Sequence, residues 1–257
     1  MYRLEGGEGG AGGAAPAPRP APAAPATKLE RRLAGIRRLA GADGSGGPVD
    51  TPSTLTLRQA PFTKSADGAF ASTVWDSSIV VSKMLERHPS LVRGRRCLDL
   101  SAGVGLVAAV MARVGAAHVA ATDLGPNLGL LRENLSGANV AGAEGRVAVA
   151  EHRWGEGVDE LVAELGGRPS VLVGCDLMYI DDPATVRALV ATVRRLPDWD
   201  RAGACVLFAH GRNNRAEPMF VAECGRQGLA CEEVPDSELH PGFVAEDVAV
   251  LRVARSG

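Results

Sequence analysis

Lysine is scarce in this chain. Only Lys28, Lys64 and Lys83 are lysines among its 28 basic residues, and none lies beyond position 83. A lysine base or Schiff-base nucleophile is therefore excluded from the second two-thirds of the sequence. The same gap removes the Tyr-x-x-x-Lys pair of short-chain dehydrogenases, because Pro183 stands four positions after Tyr179. The five cysteines show no C-x-x-C spacing. Cys97, Cys175 and Cys205 sit in apolar runs and read as buried thiols, which suits a reducing, cytoplasmic setting with the nucleus as an alternative. The five histidines are scattered, so no metal centre is expected. No apolar run approaches membrane-span length and no signal-peptide core opens the chain, so no membrane partner is expected. A net charge of −2 leaves no electrostatic case for nucleic acid. What remains is 257 residues with 46% hydrophobic content, enough for one sizeable α/β domain expected to act as a monomer.

Residues 1–52 read as a tail. Met1–Ala26 is a Gly/Ala/Pro-rich stretch that buries too little apolar surface to offset its ordering entropy, so disorder is expected. An organelle transit peptide is disfavoured, since the stretch lacks serine and carries Glu5 and Glu8. Lys28–Ala40 places Leu29, Leu33, Ile36 and Ala40 on one helical face, a docking helix with a basic, solvated side. A flexible linker follows over 41–52, and the folded domain is expected over 53–257.

From Arg95 the pattern becomes regular. Strands are expected over 95–101, 118–123, 145–152, 171–176, 204–209, 229–234 and 247–254. Helices are expected over 106–114, 126–138, 158–165, 183–196 and 217–227. Alternation of strand and helix implies a parallel sheet wound on both faces. The last two strands are joined by a loop alone, which adds one antiparallel strand. The expected fold is thus a seven-stranded, mostly parallel, doubly wound Rossmann-like α/β sheet.

The segment Arg95–Asp123 carries the chemistry. An apolar run ends at Asp99, the small residues Ser101, Ala102, Gly103 and Gly105 turn the chain, and a second apolar run ends at Asp123. Glycine lets a ligand approach the backbone, and an acid at the second strand end is placed to accept hydrogen bonds from ribose hydroxyls. Gly103, Gly105 and Ala108 spell G-x-G-x-x-A, which leaves a dinucleotide in contention. Asp99 weighs the other way. A carboxylate repels a pyrophosphate but attracts an ammonium or sulfonium, which favours S-adenosyl-L-methionine.

Five segments in order resemble the family-16 seven-β-strand protein-lysine methyltransferases, of the methyltransferase-like 21 type. They are Val74-Trp75-Asp76, Leu98–Leu106, Thr122-Asp123-Leu124 with Leu130, Leu131 and Asn134 behind it, Trp154-Gly155, and Gly174–Tyr179 with its Asp-x-x-Tyr box. The resemblance covers about Thr73 to the C-terminus. It implies an S-adenosylmethionine-dependent methyltransferase acting on an accessible lysine of a protein. It also implies that Trp75, Ser101, Ala102, Gly103, Asp123, Trp154 and Cys175 line the cofactor, and that Asp176 and Tyr179 face the methyl acceptor. The chain departs from the family at Ser101, usually glycine, and at Asp99, usually glutamate. A Cβ at Ser101 is strained if that backbone requires positive φ.

Each assignment has a structural rival. Asp176 would otherwise cap the helix near Pro183, Tyr179 would be a packed aromatic, and Trp75 and Trp154 would be core. Acids near the expected mouth (Asp176, Asp181, Asp182, Asp236, Glu238, Glu246 and Asp247) would favour a basic acceptor. Histidine or small-molecule methylation, and cofactor binding with little catalysis, stand as alternative functions.

Overall fold

The computed structural model describes residues 2–6, 55–60, 69–136, 140, 145–212 and 216–256. The expected helix over 28–40, the linker after it and most of the low-complexity tail lie outside the described residues.

Two short parallel strands, β1 (Tyr2–Gly6) and β2 (Leu55–Gln59), pair with each other. β1 corrects the expectation of disorder at the very start of the chain. Tyr-Arg-Leu-Glu alternates apolar and charged residues ahead of the Gly/Ala/Pro run, which is the period of a strand. Leu55 and Leu57 of β2 are buried.

The main body alternates as α1 (Asp76–Arg87), β3 (Arg96–Leu100), α2 (Leu106–Arg113), β4 (His118–Asp123), α3 (Leu128–Asn134), β5 (Val147–Glu151), α4 (Val158–Glu164), β6 (Val171–Cys175), α5 (Pro183–Arg195), β7 (Cys205–Gly211), α6 (Glu217–Arg226), β8 (Leu229–Glu233) and β9 (Val248–Arg255). The seven later strands form one sheet in the order β5-β4-β3-β6-β7-β9-β8. β9 runs antiparallel to both of its neighbours, and the other pairings are parallel. The seven-stranded, doubly wound architecture is as expected.

Alternation along the strands covers both faces. Cys97, Val171, Val173 and Leu207 pack under α1, α2 and α3, whereas Leu98, Leu100, Leu172, Val206 and Phe208 pack under α4, α5 and α6. Successive side chains point to opposite faces, so near-continuous apolar runs are what a sheet buried on both sides requires. The chain winds outward from β3 in one direction and then returns to β6 beside it. That reversal opens a crevice at the carboxyl ends of β3 and β6, where ligands of open α/β sheets bind.

Most element ends lie one or two residues from expectation, and two of the differences matter most. The helix after β4 begins with a 3-10 turn, Gly125–Asn127, and its α-helical part stops at Asn134. β7 runs on through His210 and Gly211, and this extension bears on the site.

Candidate active site

The turn after β3 carries three left-handed residues in alternation: Ser101 (φ 57°), Gly103 (φ 57°) and Gly105 (φ 85°). The protein itself needs two of them to be glycine. A Cβ on Gly103 would lie 3.0 Å from the Ala71 carbonyl oxygen, and one on Gly105 would lie 2.8 Å from Leu131 Cδ1. At Ser101 an L-residue takes the conformation at a cost of roughly 1–2 kcal/mol. Its hydroxyl has a task there, because Trp154 Nε1 donates to Ser101 Oγ at 3.0 Å.

Asp123 ties the turn to β4. Its Oδ2 accepts from Gly103 N at 2.8 Å, and its Oδ1 accepts from Leu124 N at 2.8 Å and from Asn127 Nδ2 at 2.6 Å. A carboxylate has about four lone-pair sites, so one remains for a ligand hydroxyl. Asn134 braces the same region from below. It donates to the carbonyls of Arg58 and Val104, both at 3.0 Å, and accepts from Arg58 N at 2.8 Å.

Asp99 is only 2% exposed. Its Oδ2 accepts from Ala108 N at 2.9 Å, an amide in the first turn of α2 without an intrahelical partner. Burial, followed by the nearby Asp123 charge, raises its carboxyl to about 7.

Trp75 immediately precedes α1. Its carbonyl accepts from Ser78 N at 3.0 Å and from Ser78 Oγ at 2.6 Å, and its indole Nε1 donates to the Phe70 carbonyl at 2.9 Å. Being 38% exposed, it is not core. Tyr179 is 52% exposed and is not core either. Partial burial and the nearby Asp123 charge raise its phenol. Trp154 is partly buried against α4 and α5, so it has a foot in the core and a foot in the site.

Asp176 adopts φ 55°. Its N–H donates to the Ala209 carbonyl at 2.7 Å, its Oδ1 accepts from Gly211 N at 3.2 Å, and its Oδ2 accepts from Ser77 Oγ. The extension of β7 supplies the Gly211 amide and α1 supplies Ser77. Burial raises the Asp176 carboxyl, while the Ser77 and Gly211 hydrogen bonds hold it down. Asp176 does not cap the helix after it. Asp182 does, accepting from Thr185 N at 2.8 Å.

All nine site residues expected from sequence (Trp75, Ser101, Ala102, Gly103, Asp123, Trp154, Cys175, Asp176 and Tyr179) line one cavity of about 960 Å³ at the crevice between β3 and β6. Its acids are Asp99, Asp123, Glu151 and Asp176, and its one strong base is Arg153. Burial holds the His152 imidazole low, against the nearby Glu156 charge. The acids after position 200 do not line this cavity. Glu238, for example, pairs with Arg252 at 2.6 Å. Burial also raises the Cys175 thiol, helped by Asp99 and Asp176, so a thiolate nucleophile is disfavoured. Sequence reasoning missed Phe70 and Ser77. Only the acidic-box geometry reveals Ser77, and Phe70 carried no motif.

This is the fold of Rossmann-like methyltransferases. A glycopeptide N-methyltransferase, MtfA, superposes with a TM-score of 0.52 at 15% identity, over 72% of this chain and 89% of that one. A TehB-like methyltransferase from Corynebacterium glutamicum gives 0.51 at 15% identity, over 73% and 91%. The chain belongs to the family described as lysine methyltransferase, whose profile matches residues 55–227. It is 33% identical over 164 residues to the protein N-lysine methyltransferase METTL21A of Danio rerio, covering 64% of this chain and 71% of that protein. It is 28% identical over 189 residues to the protein-lysine N-methyltransferase EFM3 of Chaetomium thermophilum, covering 72% of this chain and 55% of that protein.

Proposed function

We propose that the chain is an S-adenosylmethionine-dependent methyltransferase acting on a lysine side chain of another protein. The observation that carries this reading is the charge of the cavity: Asp99, Asp123, Glu151 and Asp176 against Arg153. A sulfonium and an ammonium fit such a cavity, whereas the pyrophosphate of a dinucleotide would meet repulsion from several sides. When bound, S-adenosylmethionine supplies a methyl group whose carbon–sulfur bond breaks, the sulfur keeping the electron pair, as a carbon–nitrogen bond forms. The protein's share is alignment and desolvation.

The residues divide the work. Asp123 offers its remaining lone pair to a ribose hydroxyl and holds the Gly103 turn in place. Trp154, oriented by Ser101, and Trp75, oriented by the Phe70 carbonyl, give flat walls for the nucleoside. Asp99 faces the cationic end of the donor. Asp176, fixed by Ser77 and Gly211, orients the incoming ammonium. Tyr179 closes the acceptor side with its ring. A lysine has a reference pKa of about 10.4 and must shed its proton to solvent before attack. Desolvation in the closed complex, past the entrance, then favours the neutral amine.

We further propose a cytosolic protein acting as a monomer. Supporting the monomer, four of the six large apolar side chains exposed among the described residues (Phe70, Trp75, Leu124 and Tyr179) line this one cavity, which leaves little exposed apolar surface elsewhere on those residues for self-association. The formal net charge of −2 favours a protein substrate over nucleic acid.

Titration calorimetry with S-adenosylmethionine, S-adenosylhomocysteine and NAD tests the reading. The first two should bind in the micromolar range and NAD should not compete. Tight NAD binding would overturn the cofactor assignment.

A further inference from the structure

The acid-lined cavity has an aromatic rim whose middle ring, Phe70, no sequence motif marks. Phe70 lies 5.3 Å from Tyr179 and 6.4 Å from Trp75, ring centre to ring centre, with interplanar angles of 34° and 28°. The three rings are 47%, 52% and 38% exposed. Phe70 belongs to a 3-10 turn, Ala69–Ser72, held over the cavity from two sides. The Ser72 carbonyl accepts from Ala60 N at 3.2 Å, and Ala71 lies against the Gly103 turn. The ring thus bridges Trp75, on the donor side, and Tyr179, on the acceptor side.

We propose that Phe70 is a substrate-binding residue: with Tyr179, and backed by Trp75 on the donor side, it forms an aromatic rim that binds the cationic head of the acceptor side chain and selects for its positive charge. The proposal rests on the methyltransferase reading and adds the acceptor's recognition element. Two observations converge on a cationic occupant. Aromatic faces attract cations through their quadrupole, and the cavity behind the rim holds four carboxylates against one arginine. An apolar occupant would gain from the rings but nothing from Asp176. An anionic one would be repelled. The attraction to a ring face depends on charge and not on the number of N–H donors, so a methylated ammonium remains a ligand of the same rim.

The test uses choline and its uncharged isostere 3,3-dimethylbutan-1-ol, titrated by saturation-transfer NMR into full-length protein saturated with S-adenosylhomocysteine. Choline should bind at least about threefold tighter than the isostere. Phe70→Ala should clearly reduce that preference and Phe70→Tyr should keep it. S-adenosylhomocysteine affinity should stay within about twofold in both variants, because the backbone carbonyl that holds Trp75 is retained. Equal binding of the two probes by the wild-type protein, or an undiminished preference in Phe70→Ala, would overturn the proposal while leaving the cofactor reading intact. Failure of S-adenosylhomocysteine to bind would instead strike at the methyltransferase reading itself.

Discussion

Trp154 Nε1 donates to Ser101 Oγ at 3.0 Å, while Ser101 holds a left-handed backbone with φ 57°. Ser101 therefore exchanges backbone strain for a fixed indole. Two substitutions separate these effects. Ser101→Ala keeps the strain and loses the bond, so it should destabilise by about 1 kcal/mol, a melting-temperature drop of roughly 2–4 °C. Ser101→Gly loses the bond and relieves roughly 1–2 kcal/mol of strain, so its melting temperature should stay near or slightly above wild type. Both should weaken cofactor binding by freeing Trp154. Scanning calorimetry and titration calorimetry on the three proteins check this.

Asp123 holds three protein donors before any ligand arrives. Asp123→Ala should therefore weaken S-adenosylhomocysteine binding by roughly 1.5–3 kcal/mol, about ten- to a hundredfold in Kd, and also lower the melting temperature. Asn127→Ala removes one of those donors and leaves the carboxylate, so it should cost far less affinity. Equal affinity of Asp123→Ala and wild type in calorimetry would refute the ribose role.

Asp99 makes cofactor affinity depend on pH. Its carboxyl stands at about 7 in the ligand-free protein, above the roughly 4 of an unfolded chain. The folded state thus binds this proton more tightly. The associated stability is fully present below about pH 4 and is lost as pH rises through about 7. A cationic donor beside Asp99 favours its ionised form. Kd for S-adenosylmethionine should therefore fall about tenfold between about pH 6 and about pH 8. Asp99→Asn should flatten that dependence. Titration calorimetry across this range is the check, and a flat wild-type profile would contradict the account.

Ser77 acts through Asp176. Its hydroxyl donates to Asp176 Oδ2, a bond that holds the Asp176 carboxyl down against burial. Removing it in Ser77→Ala lets that carboxyl rise, so the acidic limb of the pH–rate profile should move to higher pH. Cofactor affinity should change less than the rate, since Ser77 does not itself line the cavity and meets the donor side at the Cys175 thiol. A lower rate with an unshifted profile would reduce Ser77 to a packing role.

The sheet was legible because each strand is flanked by Gly, Pro or acidic breakers and each helix by its own apolar stripe. The β3 turn was legible because strand, small residues and distal acid follow in order. Asp182 and Asp176 were harder to tell apart, since both precede Pro183. Only the structure shows that Asp182 caps α5 while Asp176 turns back to Ser77 and Gly211. Tyr2–Gly6 was submerged in the composition of the run behind it, although its own alternation is that of a strand. Phe70 and Ser77 were invisible for another reason. Their roles arise from contacts across 109 and 99 positions of sequence, to Tyr179 and Asp176 respectively, which no local pattern encodes. The glycines of the turn were expected to admit a ligand, yet Ala71 and Leu131 crowd Gly103 and Gly105 first.

The central claim is methyl transfer to lysine, and one measurement addresses it most directly. The full-length protein is incubated with methyl-labelled S-adenosylmethionine and a same-organism lysate, and the labelled protein is hydrolysed to amino acids. The account predicts label in methylated lysine, strongly reduced with a folded Asp176→Ala variant. Label confined to histidine, arginine or a small molecule would contradict it, as would the absence of label despite micromolar cofactor binding.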